Sequence, residues 1–117
     1  MTKIEIVKEV SKSTGIEANT VMAVVEGFTE IEAALERGLR VLKFFPAEVL
    51  GGIAMLKALA GPYPQVQFVP TGGISASNLK SYLQQKNVLA VGGSWMVQSD
   101  LDEVRRLCQE AYRIKNT

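Results

Sequence analysis

Apolar residues recur at helical spacing over the first third of the chain, and short apolar runs alternate with helical stretches thereafter. Thr2 followed by Glu5 has the spacing of a capping box, in which each side chain satisfies the other residue's free backbone N–H. Ile4, Val7 and Val10 then fall on one helical face, and Gly15 suits the left-handed stop after the last turn. Val21, Val24, Val25, Phe28, Ile31 and Leu35 carry a second periodic stretch to Gly38, about twenty residues and longer than the average helix. Gly27 interrupts it at a cost of about 1 kcal/mol relative to alanine, and Thr29 with Glu32 repeats the capping-box spacing. The pattern allows one helix with a weak point or a new helix beginning at Thr29.

From Arg40 the periods alternate. Arg40–Phe45 (RVLKFF) is a nearly unbroken apolar run, as expected of a strand buried on both faces of a parallel sheet. Ile53, Leu56 and Leu59 mark a helix over Gly51–Ala60, which Gly61-Pro62 ends. Val66–Pro70 reads as a second strand, followed by the tight turn Thr71-Gly72-Gly73. Ser75 can cap a helix running to about Lys86. Val88–Val91 reads as a third strand, followed by Gly92-Gly93-Ser94. Asp100 with Glu103 opens a last helix with Val104, Leu107, Cys108, Ala111 and Ile114 on one face. Three strands separated by helical crossovers make right-handed βαβ units and a parallel sheet.

Composition narrows the chemistry. The 117 residues are 47% hydrophobic and 21% charged, a globular balance of single-domain size. Thirteen Lys+Arg against twelve Asp+Glu leave a net charge of +1, so no general attraction to nucleic acid or to an anionic membrane is expected. No apolar run approaches the roughly 20 residues of a membrane span, and the charged start MTKIEIVKEV has no signal-peptide pattern. The lone Cys108 cannot form an internal disulfide. Without histidine, the commonest zinc sites and the Ser-His-Asp triad are excluded. The expectation is a reduced, cytoplasmic domain that needs no metal or cofactor and works through lysine, carboxylates, hydroxyls and backbone.

Lys43 is the most informative candidate. It lies inside an otherwise apolar strand, near the carboxyl end, where α/β folds place their chemistry. A desolvated lysine loses its proton more easily, and the neutral amine can form a Schiff base with a carbonyl. The plainer alternative is a buried stem whose ammonium reaches water or pairs with Glu48. The two glycine turns, at Thr71–Ser75 and Gly92–Ser94, follow consecutive strands. There the backbone can approach a ligand closely and aim N–H groups at an anion, although each is also an ordinary turn. Glu48 is a possible proton shuttle or an ion-pair partner. Trp95, Tyr63, Tyr82 and Tyr112 read as packing residues with a polar handle, and Cys108 as an inert core thiol.

The stretches LKFFPAE (Leu42–Glu48), GPYPQVQFVPTGGIS (Gly61–Ser75) and VGGSWM (Val91–Met96) lie in order and in register. On them, residues from about Thr29 to Thr117 resemble the C-terminal half of the 2-keto-3-deoxy-6-phosphogluconate (KDPG) aldolases, class I enzymes built on an (α/β)8 barrel. The resemblance implies that Lys43 is the Schiff-base lysine and that Phe45 lines the pyruvyl site. It also implies that Gly72, Gly73 and Ser94, with Thr71 and Gly93 beside them, bind phosphate. Such a barrel takes roughly 200 residues or more. No segment here matches the strands that supply the family's general-base glutamate and its carboxylate-holding arginine and threonine.

Met1 to about Phe28 is similar instead to the opening helical hairpin of the bacterial histone-like HU and integration host factor family, without that family's basic arms. This fragment holds three Lys and four Glu, so DNA affinity through counterion release is not expected. Together the two resemblances imply an engineered or recombined chimera: a hairpin over residues 1–28 joined to a half-barrel over residues 29–117, packing as one domain. The implied fold is α/β, a three-stranded parallel sheet in βαβαβα order behind the hairpin. Its exposed faces favour a homodimer.

Two functions follow. One is a chimeric folding module that retains at most binding of phosphate or a pyruvate-type molecule and weak Schiff-base chemistry. The other is an active class I aldolase completed by oligomerisation.

Overall fold

The computed structural model describes residues 2–117, apart from the side chains of residues 20, 21 and 23–26. Two compact units divide between Leu39 and Arg40. In the first, the capping box forms: Thr2 Oγ1 accepts the Glu5 N–H at 3.2 Å, and Glu5 Oε2 accepts the Thr2 N–H at 2.7 Å. It opens α1 (Lys3–Thr14), which Gly15 ends at φ 74°. α2 (Ala18–Glu36) packs against α1 and passes through Gly27 without a break. Of the two alternatives left open by the sequence, the continuous helix forms, and the expected 28/29 division coincides with no element boundary. The flanking turns outweigh the roughly 1 kcal/mol that a helical glycine costs. Val7 and Ile31 are buried while Ile4 and Phe28 are exposed; the expected stripe positions Val21, Val24 and Val25 lie outside the described side chains.

The second unit is built on β1 (Val41–Phe44) and β2 (Gln67–Pro70), paired in parallel with Lys43 opposite Val69 and Phe44 opposite Pro70. Their crossover contains α3 (Gly52–Ala60). Phe44 and Phe68 meet edge to face at 6.1 Å, and Leu56, Leu59, Tyr63, Val66, Ile74, Leu79, Tyr82 and Val88 complete the core. No helix among the described residues is long and apolar enough to cross a membrane.

Two expected elements are cut short. The third strand, Val88–Val91, is reduced to isolated parallel bridges, Phe68 with Val88 and Thr71 with Gly92. Leu89 and Ala90 between them are exposed, so this edge lacks the two-sided burial that stabilises a parallel strand. The helix expected over Ser75–Lys86 is only α4 (Leu79–Leu83). Side chains at its expected start satisfy the backbone in a non-helical form: Asn78 Oδ1 accepts the Ser75 N–H and Asn78 Nδ2 donates to the Gly73 carbonyl, both at 2.8 Å. Ser75 is therefore not the cap. A short 3₁₀ turn covers Ser94–Met96. Asp100 then caps α5 (Leu101–Lys115) by accepting the Asp102 N–H at 3.0 Å.

Candidate active site

Period-two alternation along β1 decides what Lys43 faces. Leu42 and Phe44 turn to one side, where Phe44 is buried; Val41 and Lys43 turn to the other and are both exposed. The sheltered lysine expected from the apolar run is corrected to an exposed one. An apolar run of this kind suits burial on both faces, and only one face is packed. Lys43 Nζ lies 5.0 Å from the centroid of the Phe45 ring, within cation–π range. Among the described residues no salt bridge reaches Lys43. The expected partner Glu48 turns away and accepts a hydrogen bond from the Tyr82 hydroxyl.

Phe45 links the lysine to the first glycine turn. A side-chain carbon at Gly72 would lie 3.1 Å from Phe45 Cδ2 and 3.1 Å from Pro46 Cα, so only glycine lets the turn sit this close. The backbones of the two loops are joined as well: Thr71 N–H donates to Phe44 O at 2.9 Å, Ala47 N–H to Thr71 O at 2.8 Å and Glu48 N–H to Gly72 O at 3.3 Å. Gly73 takes φ 78°, and a Cβ there would run into Glu48.

The second glycine turn begins beside the first. Gly92 N–H donates to Pro70 O at 3.1 Å, and Gly92 pairs with Thr71. Gly93 leaves no room for a side chain against the Trp95 ring, and Ser94 follows, exposed, at the head of the 3₁₀ turn. Among the described residues Thr71 Oγ1 is buried without a hydrogen-bond partner. Such an atom is costly to leave unsatisfied, by about 1–3 kcal/mol, and therefore invites a polar ligand. Lys43 with Phe45, Thr71–Gly73 and Gly92–Ser94 thus lie along one edge of the unit, at the carboxyl ends of its parallel segments.

Tyr82, expected as a packing residue with a polar handle, bonds its hydroxyl to Glu48 beside the first glycine turn. Its side chain is fully buried, and burial, then the hydrogen bond and charge of Glu48, push its phenol up to about 12. The polar handle assigned to buried tyrosines was the available signal; its partner, thirty-four positions away, was not. Cys108, expected in the core, is exposed on α5, while Val104, Leu107, Ala111 and Ile114 are half-buried. The cysteine sits one position to the side of the face that packs. Among the described residues no cluster of acidic or cysteine side chains could hold a metal ion.

The profile of the aldolase family described as KDPG and KHG aldolase matches residues 5–109. The chain belongs to this family. It is 54% identical over 92 residues to the 2-dehydro-3-deoxy-phosphogluconate aldolase of Treponema pallidum, covering 74% of this chain and 44% of that one. Among solved structures, the KDPG aldolase of Zymomonas mobilis with 3-phosphoglycerate superposes with a TM-score of 0.64 at 43% identity, over 67% of this chain and 39% of that one. The KDPG aldolase of Legionella pneumophila, with pyruvate captured as a covalent carbinolamine, gives 0.62 at 40% identity, over 76% and 43%.

The chain thus spans less than half the length of each of these three aldolases. The family match also runs from residue 5 across Gly27–Thr29. The comparisons give neither the HU-like reading of residues 1–28 nor a chimeric origin any support.

Proposed function

We propose that this chain carries the Schiff-base half of a class I aldolase site, acting on phosphorylated 2-oxo sugar acids and on pyruvate. The observation that supports it most is the shared edge: the Lys43–Phe45 pair, the Thr71–Gly73 turn and the Gly92–Ser94 turn emerge from adjacent parallel segments. The neutral Lys43 Nζ attacks the 2-oxo carbon. A C–N bond forms as the carbonyl electron pair moves to oxygen, a proton passes from the nitrogen to that oxygen, and with a further proton from solvent the carbinolamine loses water to an iminium. The iminium then draws in the electrons of the breaking carbon–carbon bond while the hydroxyl on the departing carbon gives its proton to water, leaving an enamine and an aldehyde; protonation of the enamine carbon and hydrolysis of the resulting iminium return pyruvate and the amine. Phe45 packs against the pyruvyl carbons. Thr71, Gly72, Gly73, Gly93 and Ser94 hold the phosphate, with Thr71 Oγ1 finding there the partner it lacks. The carbinolamine in the Legionella relative and the phosphoglycerate in the Zymomonas relative support both halves of this reading.

Val41, Phe45 and Val49 expose 49–82% of their surface, and among the described residues β1 pairs only with β2. We infer that a second copy of the chain covers this apolar edge and completes the pocket around Lys43. Without a positioned general base, cleavage runs slower than in a complete site by on the order of 10²–10⁴-fold. Borohydride reduction in the presence of pyruvate, followed by mass spectrometry, tests the chemistry. A reduced pyruvyl adduct on Lys43, absent in Lys43→Ala, is expected. A folded chain that forms no adduct at millimolar pyruvate returns the protein to a binding or folding module. Light scattering tests the dimer, and a monomeric mass at all concentrations overturns it.

A further inference from the structure

Glu48 occupies a junction that the aldolase chemistry does not explain. It belongs to the loop between β1 and α3, is itself exposed, and yet is gripped from three sides. The Tyr82 hydroxyl, on α4, donates to Glu48 Oε1. A side-chain carbon at Gly52 would lie 2.9 Å from that hydroxyl and 3.2 Å from Glu48 Oε1. One at Gly73 would lie 2.8 Å from Glu48 Cβ. Glycines in two separate segments thus clear the space that the carboxylate and the phenol share. Tyr82 is fully buried, and burial and the carboxylate keep its phenol protonated, with a pKa of about 12. It is a permanent donor at neutral pH.

We propose that Tyr82 and Glu48 are positioning residues for imine formation: a strut from α4 to the loop 45–51 that holds the Phe45 ring against Lys43. The connection is continuous. Phe45 lies three residues before Glu48, the loop is pinned to the first glycine turn by Ala47 and Glu48 N–H groups at 2.8 and 3.3 Å, and Phe45 carries Lys43 Nζ at 5.0 Å. Loosening the carboxylate lets the loop and its ring drift while the strand keeps the lysine in place. This inference rests on the reading of Lys43 as the imine-forming residue.

The test is the rate of borohydride trapping of pyruvate on the full chain, compared across Tyr82→Phe, Glu48→Ala, Glu48→Gln and the Tyr82→Phe/Glu48→Ala double variant. A drifting Phe45 ring misplaces the pyruvyl carbons that pack on it, and misplacement of a reacting group by about 1 Å costs up to 10²-fold, so a loss of roughly tenfold is expected for Tyr82→Phe and for Glu48→Ala, with the double variant no slower. Glu48→Gln keeps an oxygen that accepts the phenol's hydrogen bond but cannot carry a proton, and it is expected to trap within about threefold of the parent.

Because Glu48 is exposed, Glu48→Ala keeps the test open even if Tyr82→Phe fails to fold. Trapping by folded Tyr82→Phe or Glu48→Ala at the parental rate overturns the strut and leaves the Lys43 reading intact. A Glu48→Gln rate as low as that of Glu48→Ala assigns Glu48 to proton transfer and overturns positioning. A parent protein that gives no adduct removes the Lys43 reading, and the strut's role in the chemistry with it.

Discussion

Replacing Gly73 by alanine adds one methyl group at the point where three segments meet. Gly73 sits at φ 78°, where an L-residue costs roughly 1–2 kcal/mol. Its new Cβ would lie 2.8 Å from Glu48 Cβ and closer still to Cγ, so Glu48 has to swing out. The swing removes the acceptor from the buried Tyr82 hydroxyl, and an unsatisfied buried donor costs a further 1–3 kcal/mol or so. Both contributions together come to about 2–5 kcal/mol. Gly51→Ala is the control. Gly51 has φ 101° and its Cβ would meet Met55, at 3.3 Å from Cβ and 3.9 Å from N, so backbone strain dominates, about 1–2 kcal/mol.

The single Trp95 lies in the same unit, so its emission during urea unfolding reads both variants. At a urea slope of about 1.5 kcal/mol per molar, a loss of about 3 kcal/mol lowers the midpoint by about 2 M. The hydroxyl's share is separable. In a Tyr82→Phe background, Gly73→Ala loses the penalty for stranding the phenol, so the two changes are expected to be sub-additive by about 0.5–3 kcal/mol. Equal midpoints for Gly73→Ala and Gly51→Ala, or strict additivity with Tyr82→Phe, would refute the reasoning.

Three further outcomes are expected. The Tyr82 phenol is raised from 10.0 to about 12 in the folded chain, so the folded state holds this proton more tightly; its contribution is complete below pH 10 and is lost as pH climbs towards 12. Urea midpoints should therefore fall over that window, and Tyr82→Phe should remove this share of the fall. Cys108 is exposed, and a thiol reagent should label the native protein nearly as fast as the urea-unfolded one at pH 8, whereas strong native protection would restore the core reading. Thr71→Val removes a buried hydroxyl that has no partner; stability should hold or rise by up to about 1 kcal/mol, while phosphate binding, followed by amide shifts at the glycine turns, weakens. Unchanged phosphate affinity would take Thr71 out of the site.

Features set by one or two neighbours along the chain were legible from residue types. The Thr2–Glu5 box, the stop at Gly15 and the Asp100 cap all form, because their partners lie within a few positions. What failed to show depended on distant surfaces. RVLKFF looks the same whether one face is packed or two, so the exposure of Lys43 could not be read from it. Val88–Val91 has strand-forming residues but lacks a covered outer flank, and it keeps only its bridges. At Ser75–Asn78 the signal was present and misassigned. Ser, Ser and Asn in four positions compete with helical backbone as readily as they cap it, and Asn78 settles the competition by holding Gly73 and Ser75. The Tyr82–Glu48 pair belongs to neither class, since nothing in a tyrosine's neighbours names its acceptor.

The exposed face of β1 connects assembly to chemistry. An amine nucleophile needs surroundings poor in water, because hydration favours the ammonium that cannot attack. The described residues provide Lys43 with an aromatic ring at 5.0 Å and little other cover. The same face carries Val41, and its flanks carry Phe45 and Val49, at 49–82% exposure. Whatever buries those side chains also withdraws water from Lys43, so if Lys43 is the imine-forming residue proposed above, covering the edge and activating the amine are one event. Trapping with pyruvate should therefore rise with protein concentration more steeply than in proportion, and it should fall in Val49→Glu, which puts a charge on the flank six positions along the chain from the lysine. A rate per chain that is flat across the range where the solution mass doubles would separate the two and place the activating environment within a single chain.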